Sequence, residues 1–373
     1  MDVNQQKEIV CLLSLLEVEG VGCILARKIV ETLGSATAAF GSDRRYLHTV
    51  EGVGHKTAVA IQSFRDFGRM ENMLERQWRM GAQVYPYNHP DFPARLRQCP
   101  DHPLLLFGFG RLPMNGRRVL AVVGTRSATS YGRQITEKLI RELAALNVVV
   151  LSGLAMGIDG HAHEAAVRHR LPTIAVLGHG LGRIYPQQHR QLAESMLADG
   201  GLLTEFTFDT PPERENFPKR NRIVAGMADA VVVVEAGRDG GALITASLAN
   251  DYNRDVFAFP GRVGDQFSEG CHDLIRSNRA GIMTSAAQLV EAMGWQQALS
   301  NAGGIQTQLF PELDEDELIV IELMRADGVE ALDTLIIRSR IPLSRLYQAT
   351  VGLEIKGLLR RLPGRRLELV ERM

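Results

Sequence analysis

Between residues 104 and 260 the chain repeats one unit: a short aliphatic run, a turn of glycine or small hydroxyl residues, then a stretch with helical spacing. The runs Leu104–Phe107, Val119–Val123, Val148–Leu151, Thr173–Leu177, Gly201–Thr204, Ala230–Glu235 and Asp255–Phe259 are each expected to form a strand. Several are apolar at every position rather than at alternate ones. A strand that turns one face to the core alternates with period two, so continuous apolarity requires cover on both faces, as in a parallel sheet between two helical layers. The pattern predicts a doubly wound α/β domain with its ligand site beyond the carboxyl ends of the strands.

Different patterns flank this region. Val18-Glu19-Gly20-Val21-Gly22 recurs letter for letter as Val50-Glu51-Gly52-Val53-Gly54, and each copy opens a helical stretch. Residues 1–80 are therefore expected to be an all-helical, helix-hairpin-helix (SAM-like) module. Its glycine turns suit a phosphate, but its ten Lys and Arg are balanced by ten Asp and Glu, which favours a scaffolding or interaction role. Past Trp295, the stretch Asn301–Gln308 has linker composition. Three helices, Glu315–Arg325, Ala331–Ser339 and Leu343–Leu359, and a short strand, Leu367–Val370, then suggest a winged helix-turn-helix. The expected divisions are 1–80 (helical), 81–296 (α/β), 297–312 (linker) and 313–373 (winged helix).

Charge narrows the function classes. With 42 Lys and Arg against 43 Asp and Glu, no global field recruits a polyanion, so any nucleic-acid affinity must come from a local cluster. No apolar run approaches the roughly 20 residues that span a bilayer, and the first residues form no cleavable hydrophobic segment, which points to the cytoplasm and away from membranes. Cys11, Cys23, Cys99 and Cys271 are too scattered for a disulfide framework or a close zinc pair. His161 and His163, two positions apart on a helix, face different directions and make a poor metal site. Neither a metal nor a cofactor is expected.

Four turns after strands and one cationic run carry the chemistry. Val123-Gly124-Thr125-Arg126-Ser127 leads into a helix with hydroxyls and a guanidinium, either an anion cradle or a helix cap followed by a solvated arginine. Neither the dinucleotide glycine fingerprint nor the lysine-bearing phosphate loop is present there. Ser152-Gly153-Leu154-Ala155-Met156-Gly157-Ile158-Asp159 closes another strand with small residues, and Asp159 suits a cap. Leu177-Gly178-His179-Gly180 permits a tight turn, and Glu235-Ala236-Gly237-Arg238-Asp239-Gly240-Gly241 offers further exposed amides. The densest cluster is Asn216-Phe217-Pro218-Lys219-Arg220-Asn221-Arg222, ahead of an apolar helix. Guanidinium forks suit phosphodiester oxygens, and an aromatic ring stacks on an unpaired base, so the combination favours a single strand over a duplex. The plain alternative is a solvated loop anchored by a buried phenylalanine. A second reading is a nucleoside monophosphate glycosidase, with Glu235 or Glu205 attacking the sugar.

These segments together resemble the DprA/Smf family, the DNA-processing proteins of bacterial natural transformation. The resemblance is densest from 119 to 285 and rests on Val123–Arg126 with Tyr131-Gly132, Ser152–Asp159 with Ala162-His163, and Ala175–Gly178 with Tyr185-Pro186. It continues through Thr204–Phe206, Phe217–Ile223, Val234–Ala236, Leu243–Ala246, Pro260-Gly261 and Leu274-Ile275. It implies an extended Rossmann-like domain that binds and protects single-stranded DNA, loads RecA onto it, forms a homodimer and has no catalytic residues. It also implies a DNA pocket of Arg126, Lys219, Arg220 and Arg222, with Gly124, Thr125, Ser152, Gly153 and Asn221 along the backbone path and Phe217 against a base. Thr125 stands where serine is usual and keeps the hydroxyl. Gly240-Gly241 stands where Ser-Gly is usual and removes a phosphate donor. From Arg345 to the end, seven Lys and Arg face three Glu, which permits a second DNA contact.

Overall fold

The structure, a computed structural model, describes residues 3–295, 313–324, 329–356, 358–362 and 366–369. The expected linker, 297–312, lies outside the described residues. The chain divides into two compact units, Met1–Gln296 and Gln297–Met373.

The first unit is built on a nine-stranded sheet: β1 (Gln83–Pro86), β2 (Leu105–Gly110), β3 (Val119–Val123), β4 (Val149–Ser152), β5 (Thr173–Val176), β6 (Gly201–Thr204), β7 (Ala230–Val233), β8 (Asp255–Ala258) and β9 (Gly281–Ile282). Its order is β1-β2-β6-β5-β4-β3-β7-β8-β9. Pairing is parallel from β6 to β9, while β1 and β2 add an antiparallel edge. Every residue of β3 through β7 is buried, because helices cover both faces. Val119, Ala121 and Val123 of β3 pack with Ile223 and Val224 on one side. Leu120 and Val122, one residue out of phase, pack with Leu139 and Ile140 on the other.

The chain runs from β3 to β4, β5 and β6 on one side of β3 and then crosses to β7 on the other. The carboxyl end of β3 is therefore the topological switch point, where loops leave the sheet in opposite directions and open a crevice.

Six helices precede β1, from Val3–Glu17 to Phe67–Arg79. Gly22 and Gly54, the last residues of the two repeat copies, are the N-caps of helices Cys23–Leu33 and His55–Ser63. The helices share one apolar core with the neighbouring sheet, in which Leu12, Leu15 and Ile29 join Leu105, Phe107 and Leu177.

Among the described residues, the second unit carries three helices, Glu315–Met324, Leu332–Ser339 and Leu343–Ile355, and a three-stranded antiparallel sheet. Its strands are β10 (Val329–Ala331), β11 (Leu359–Leu362) and β12 (Arg366–Leu369), in the order β10-β12-β11. The third helix stops at Ile355 rather than at Leu359, because Leu359 pairs with Leu369 in the sheet and buries its side chain in the unit's core. The first helix is held by a capping box. Asp314 Oδ1 accepts from the Glu317 amide at 2.8 Å, and Glu317 Oε2 accepts from the Asp314 amide at 2.9 Å. Lys356 Nζ lies 2.5 Å from the same buried carboxylate. Glu317→Ala removes both partners and is expected to destabilise this unit by about 1–3 kcal/mol, seen as faster hydrogen exchange in the Glu315–Met324 helix.

Candidate nucleic-acid interface

The switch point holds a cleft of about 740 Å³. The loop after β3 supplies Gly124, Thr125 and Arg126, and the loop after β4 supplies Gly153 and Ala155. The loop after β7 supplies Ala236, Gly237 and Gly240. The opposite wall is the Asn216–Met227 helix, which presents Phe217, Arg220, Asn221 and Val224. These four stand at i, i+3, i+4 and i+7, one face of a helix. The cationic run therefore lies inside the helix rather than in a loop before it. Pro218 is tolerated because it falls in the first turn, where its missing amide hydrogen has no intrahelical partner.

Two guanidinium groups meet here under different conditions. Arg126 is exposed, with Cζ 5.4 Å from the centre of the Phe217 ring, a cation–π arrangement that leaves its donors free toward the opening. Arg220 is only 4% exposed, and its Nη1 donates to the Val176 carbonyl. Burial pulls its pKa below that of an ordinary guanidinium, while Asp159 opposes the shift and Arg126 adds to it. Arg220 fits at this depth because residue 153 is glycine: a methyl there would lie 2.5 Å from Nη2 and nearer still to the rest of the guanidinium. Asp159, also lining the cleft, accepts from the Gly153 amide at 3.1 Å. Its burial pushes the carboxyl pKa up, and Arg220 pulls it back.

The remaining expected residues lie elsewhere. Ser152 is fully buried, and its Oγ donates to the Val122 carbonyl at 2.6 Å, tying β4 to β3. Lys219 is exposed but lies outside the cleft lining. Arg222 turns the other way, paired with Glu205 and donating to the Asp101 carbonyl at 2.5 Å. Arg220 and Arg222 are two positions apart, and a helix places such neighbours on different faces. Tyr185 and Arg214 line the cleft without having been expected there. The Tyr185-Pro186 pair is visible in the sequence, but only the fold brings the Tyr185 ring 5.9 Å from that of Phe217.

Neither glutamate of the glycosidase reading faces the cleft. Glu235, 2% exposed, accepts from the Thr129 amide at 3.0 Å and from Thr129 Oγ1 at 2.5 Å. It holds the start of the Ser130–Leu143 helix. Glu205 is half-buried against Arg222, its pKa raised by desolvation.

His163 is buried with Nδ1 2.7 Å from Thr173 Oγ1, and burial pushes its pKa down to about 3, so it is neutral. Cys11, Cys99 and Cys271 are buried and Cys23 is half-buried, all as free thiols. Among the described residues no group of three or more His, Cys, Asp or Glu is arranged to hold a metal ion. None of their helices is long and apolar enough to cross a membrane. In the second unit, Arg345 is bound by both carboxylate oxygens of Asp316, at 2.7 and 2.8 Å. Part of the basic tail is thus already neutralised, while Arg365 and Arg372 lie outside the described residues.

Fold and cleft define a Rossmann-like α/β protein with an arginine-lined cleft at its switch point and a separate winged-helix unit. A family model described as DNA recombination-mediator protein A matches residues 83–294, and one described as the DprA winged helix domain matches 306–365. The chain belongs to the DprA/Smf family. It is 34% identical over 348 residues to Protein Smf of Escherichia coli, covering 89% of this chain and 93% of the relative. It is 34% identical over 241 residues to the DNA processing protein DprA of Bacillus subtilis, covering 64% and 81%. Among solved structures, DprA of Streptococcus pneumoniae superimposes with a TM-score of 0.62 at 31% identity, over 76% of this chain and 97% of that one. A structure addressing the single-stranded DNA binding mode of DNA processing protein A from Helicobacter pylori gives 0.52 at 27% identity, over 57% and 95%.

Proposed function

We propose that the protein binds single-stranded DNA with little sequence preference in the switch-point cleft. The observation that carries this reading is the meeting of Arg126, Phe217 and Arg220 across one opening. Arg126 lies over the Phe217 ring and Arg220 lines the same cleft, beside loops from three strand ends. Such a site takes hold of phosphates and of the π-face every base has, so it does not discriminate by base-edge pattern. Gly124, Thr125, Gly153 and Asn221 shape the path. Lys219 stands at its edge as a screened attraction, and Ser152 and Arg222 act by holding strands and helix in place.

Arg126→Ala is expected to weaken binding of an oligothymidylate about tenfold at moderate salt, because a charge-assisted hydrogen bond is worth about 1.5–3 kcal/mol. Fluorescence anisotropy at several ionic strengths should also show the slope of log K against log salt shallower by about 0.7 for each phosphate no longer neutralised. Unchanged affinity and slope in a folded variant would reject the reading.

Family membership extends the proposal: the protein shields the strand, hands it to RecA, and does so in the cytoplasm as a homodimer. RecA filament assembly on strand already coated with this protein tests the hand-over, and sedimentation tests the dimer. The action is binding rather than catalysis, so no base should be released from nucleoside monophosphates.

A further inference from the structure

Tyr185 lines two cavities. One is the cleft. The other, of about 690 Å³, has an apolar floor that includes Phe109, Leu181, Ile184 and Leu202, and its rim carries Arg183 and Arg190. Tyr185 is 48% exposed, and its ring is tilted by 37° on Phe217, which Arg126 covers from beyond. A row of cation, ring and ring thus leads from the cleft to the mouth of the second cavity.

We propose that the bound strand continues over Tyr185 into this second cavity, where an unstacked base rests on the apolar floor and the flanking phosphodiesters meet Arg183 and Arg190. The inference rests on the reading of the cleft as a single-strand site and extends its footprint. Both arginines are exposed. Arg183 makes one long bond, from Nη2 to the Asp209 carbonyl at 3.3 Å, and has no carboxylate partner within ion-pair distance among the described residues. Arg190 pairs with Glu194 at 3.1 Å, but the two side chains are 71% and 61% exposed. A solvated pair of this kind contributes little, so a phosphate can replace the carboxylate at small cost. Glu194 is the cavity's sole acidic lining residue among those described, which leaves a net positive rim above an apolar base, the pairing of chemistries a nucleotide presents.

The test compares oligothymidylates of about four and about twelve nucleotides, lengths within the range of single-strand footprints. Arg183→Ala with Arg190→Ala should weaken the longer oligonucleotide about tenfold, flatten its salt slope by about 0.7 for each phosphate left without its cation, and leave the shorter one unchanged. Tyr185→Leu, which keeps bulk against Phe217, should also weaken the longer one several-fold, whereas Glu194→Gln should strengthen it. Equal losses at both lengths would mean a general field rather than a subsite, and no loss at the greater length would remove the subsite. Either result overturns the inference. Arg126→Ala, measured alongside, weakens both lengths if the cleft itself is the site, so failure of the subsite and failure of the cleft give different patterns.

Discussion

Gly153→Ala is expected to lower affinity for single-stranded DNA by about tenfold to a hundredfold, although it adds one methyl group and removes no charge. The methyl would stand against the buried Arg220 guanidinium, 2.5 Å from Nη2. Arg220 cannot simply step aside, because Nη1 is anchored on the Val176 carbonyl and the side chain is enclosed. Relief requires either turning the guanidinium out of its seat or moving the loop after β4, and both spoil the alignment of Arg220 with Arg126. Displacing a charged hydrogen-bonding group is worth about 1.5–3 kcal/mol, which gives that range at about 1.4 kcal/mol per tenfold. Anisotropy with oligothymidylate measures it, and a melting curve separates the binding loss from the overpacking penalty, typically about 1–3 kcal/mol. Wild-type affinity in this variant would show that Arg220 plays no part in binding.

Glu235→Ala should produce the largest loss of stability, about 2–4 kcal/mol, because it leaves the Thr129 amide without its acceptor and loosens the N-cap of the Ser130–Leu143 helix. Thr129 itself caps that helix, accepting from the Gly132 amide at 3.1 Å, so the carboxylate holds the residue that holds the helix. Glu235→Gln keeps one carbonyl acceptor for the Thr129 amide, and the threonine hydroxyl can turn to meet the new amide, so most of the stability should return. Thermal unfolding of the pair distinguishes this structural role from catalysis, since a sugar-attacking carboxylate would not be replaced by an amide. Glycine at 132 leaves the space: a methyl there would lie 2.9 Å from Glu235 Oε1 and closer still to Oε2.

The strands were legible where burial made them so. Continuous apolar runs marked β3, β4 and β7, largely apolar ones marked β5, β6 and β8, and the turns after β3, β4 and β7 that line the cleft were visible as breaks of glycine and small residues. The edges were not. β1, Gln83–Pro86, is half-exposed and ends in proline, and β9 has two exposed residues, so neither carries the hydrophobic signal of a covered strand. In the second unit, β10 and β11 are short, and β11 begins within the span expected to be helix.

The amino-acid order alone determined the doubly wound sheet, the helical and winged-helix flanks, and the set of loops from which a site had to be built. These depend on local periodicity and on turn chemistry, which neighbours in sequence carry. Which cations face the cleft was decided by tertiary structure. Lys219, Arg220 and Arg222 are near-equivalent as letters. Helical rotation of about 100° per residue turns Arg220 to the cleft wall and Arg222 to Glu205, and Gly153, 67 positions upstream, leaves the space in which Arg220 is seated. Such a relation exists only once the strands have paired, because it is a matter of volume between segments that sequence distance does not measure.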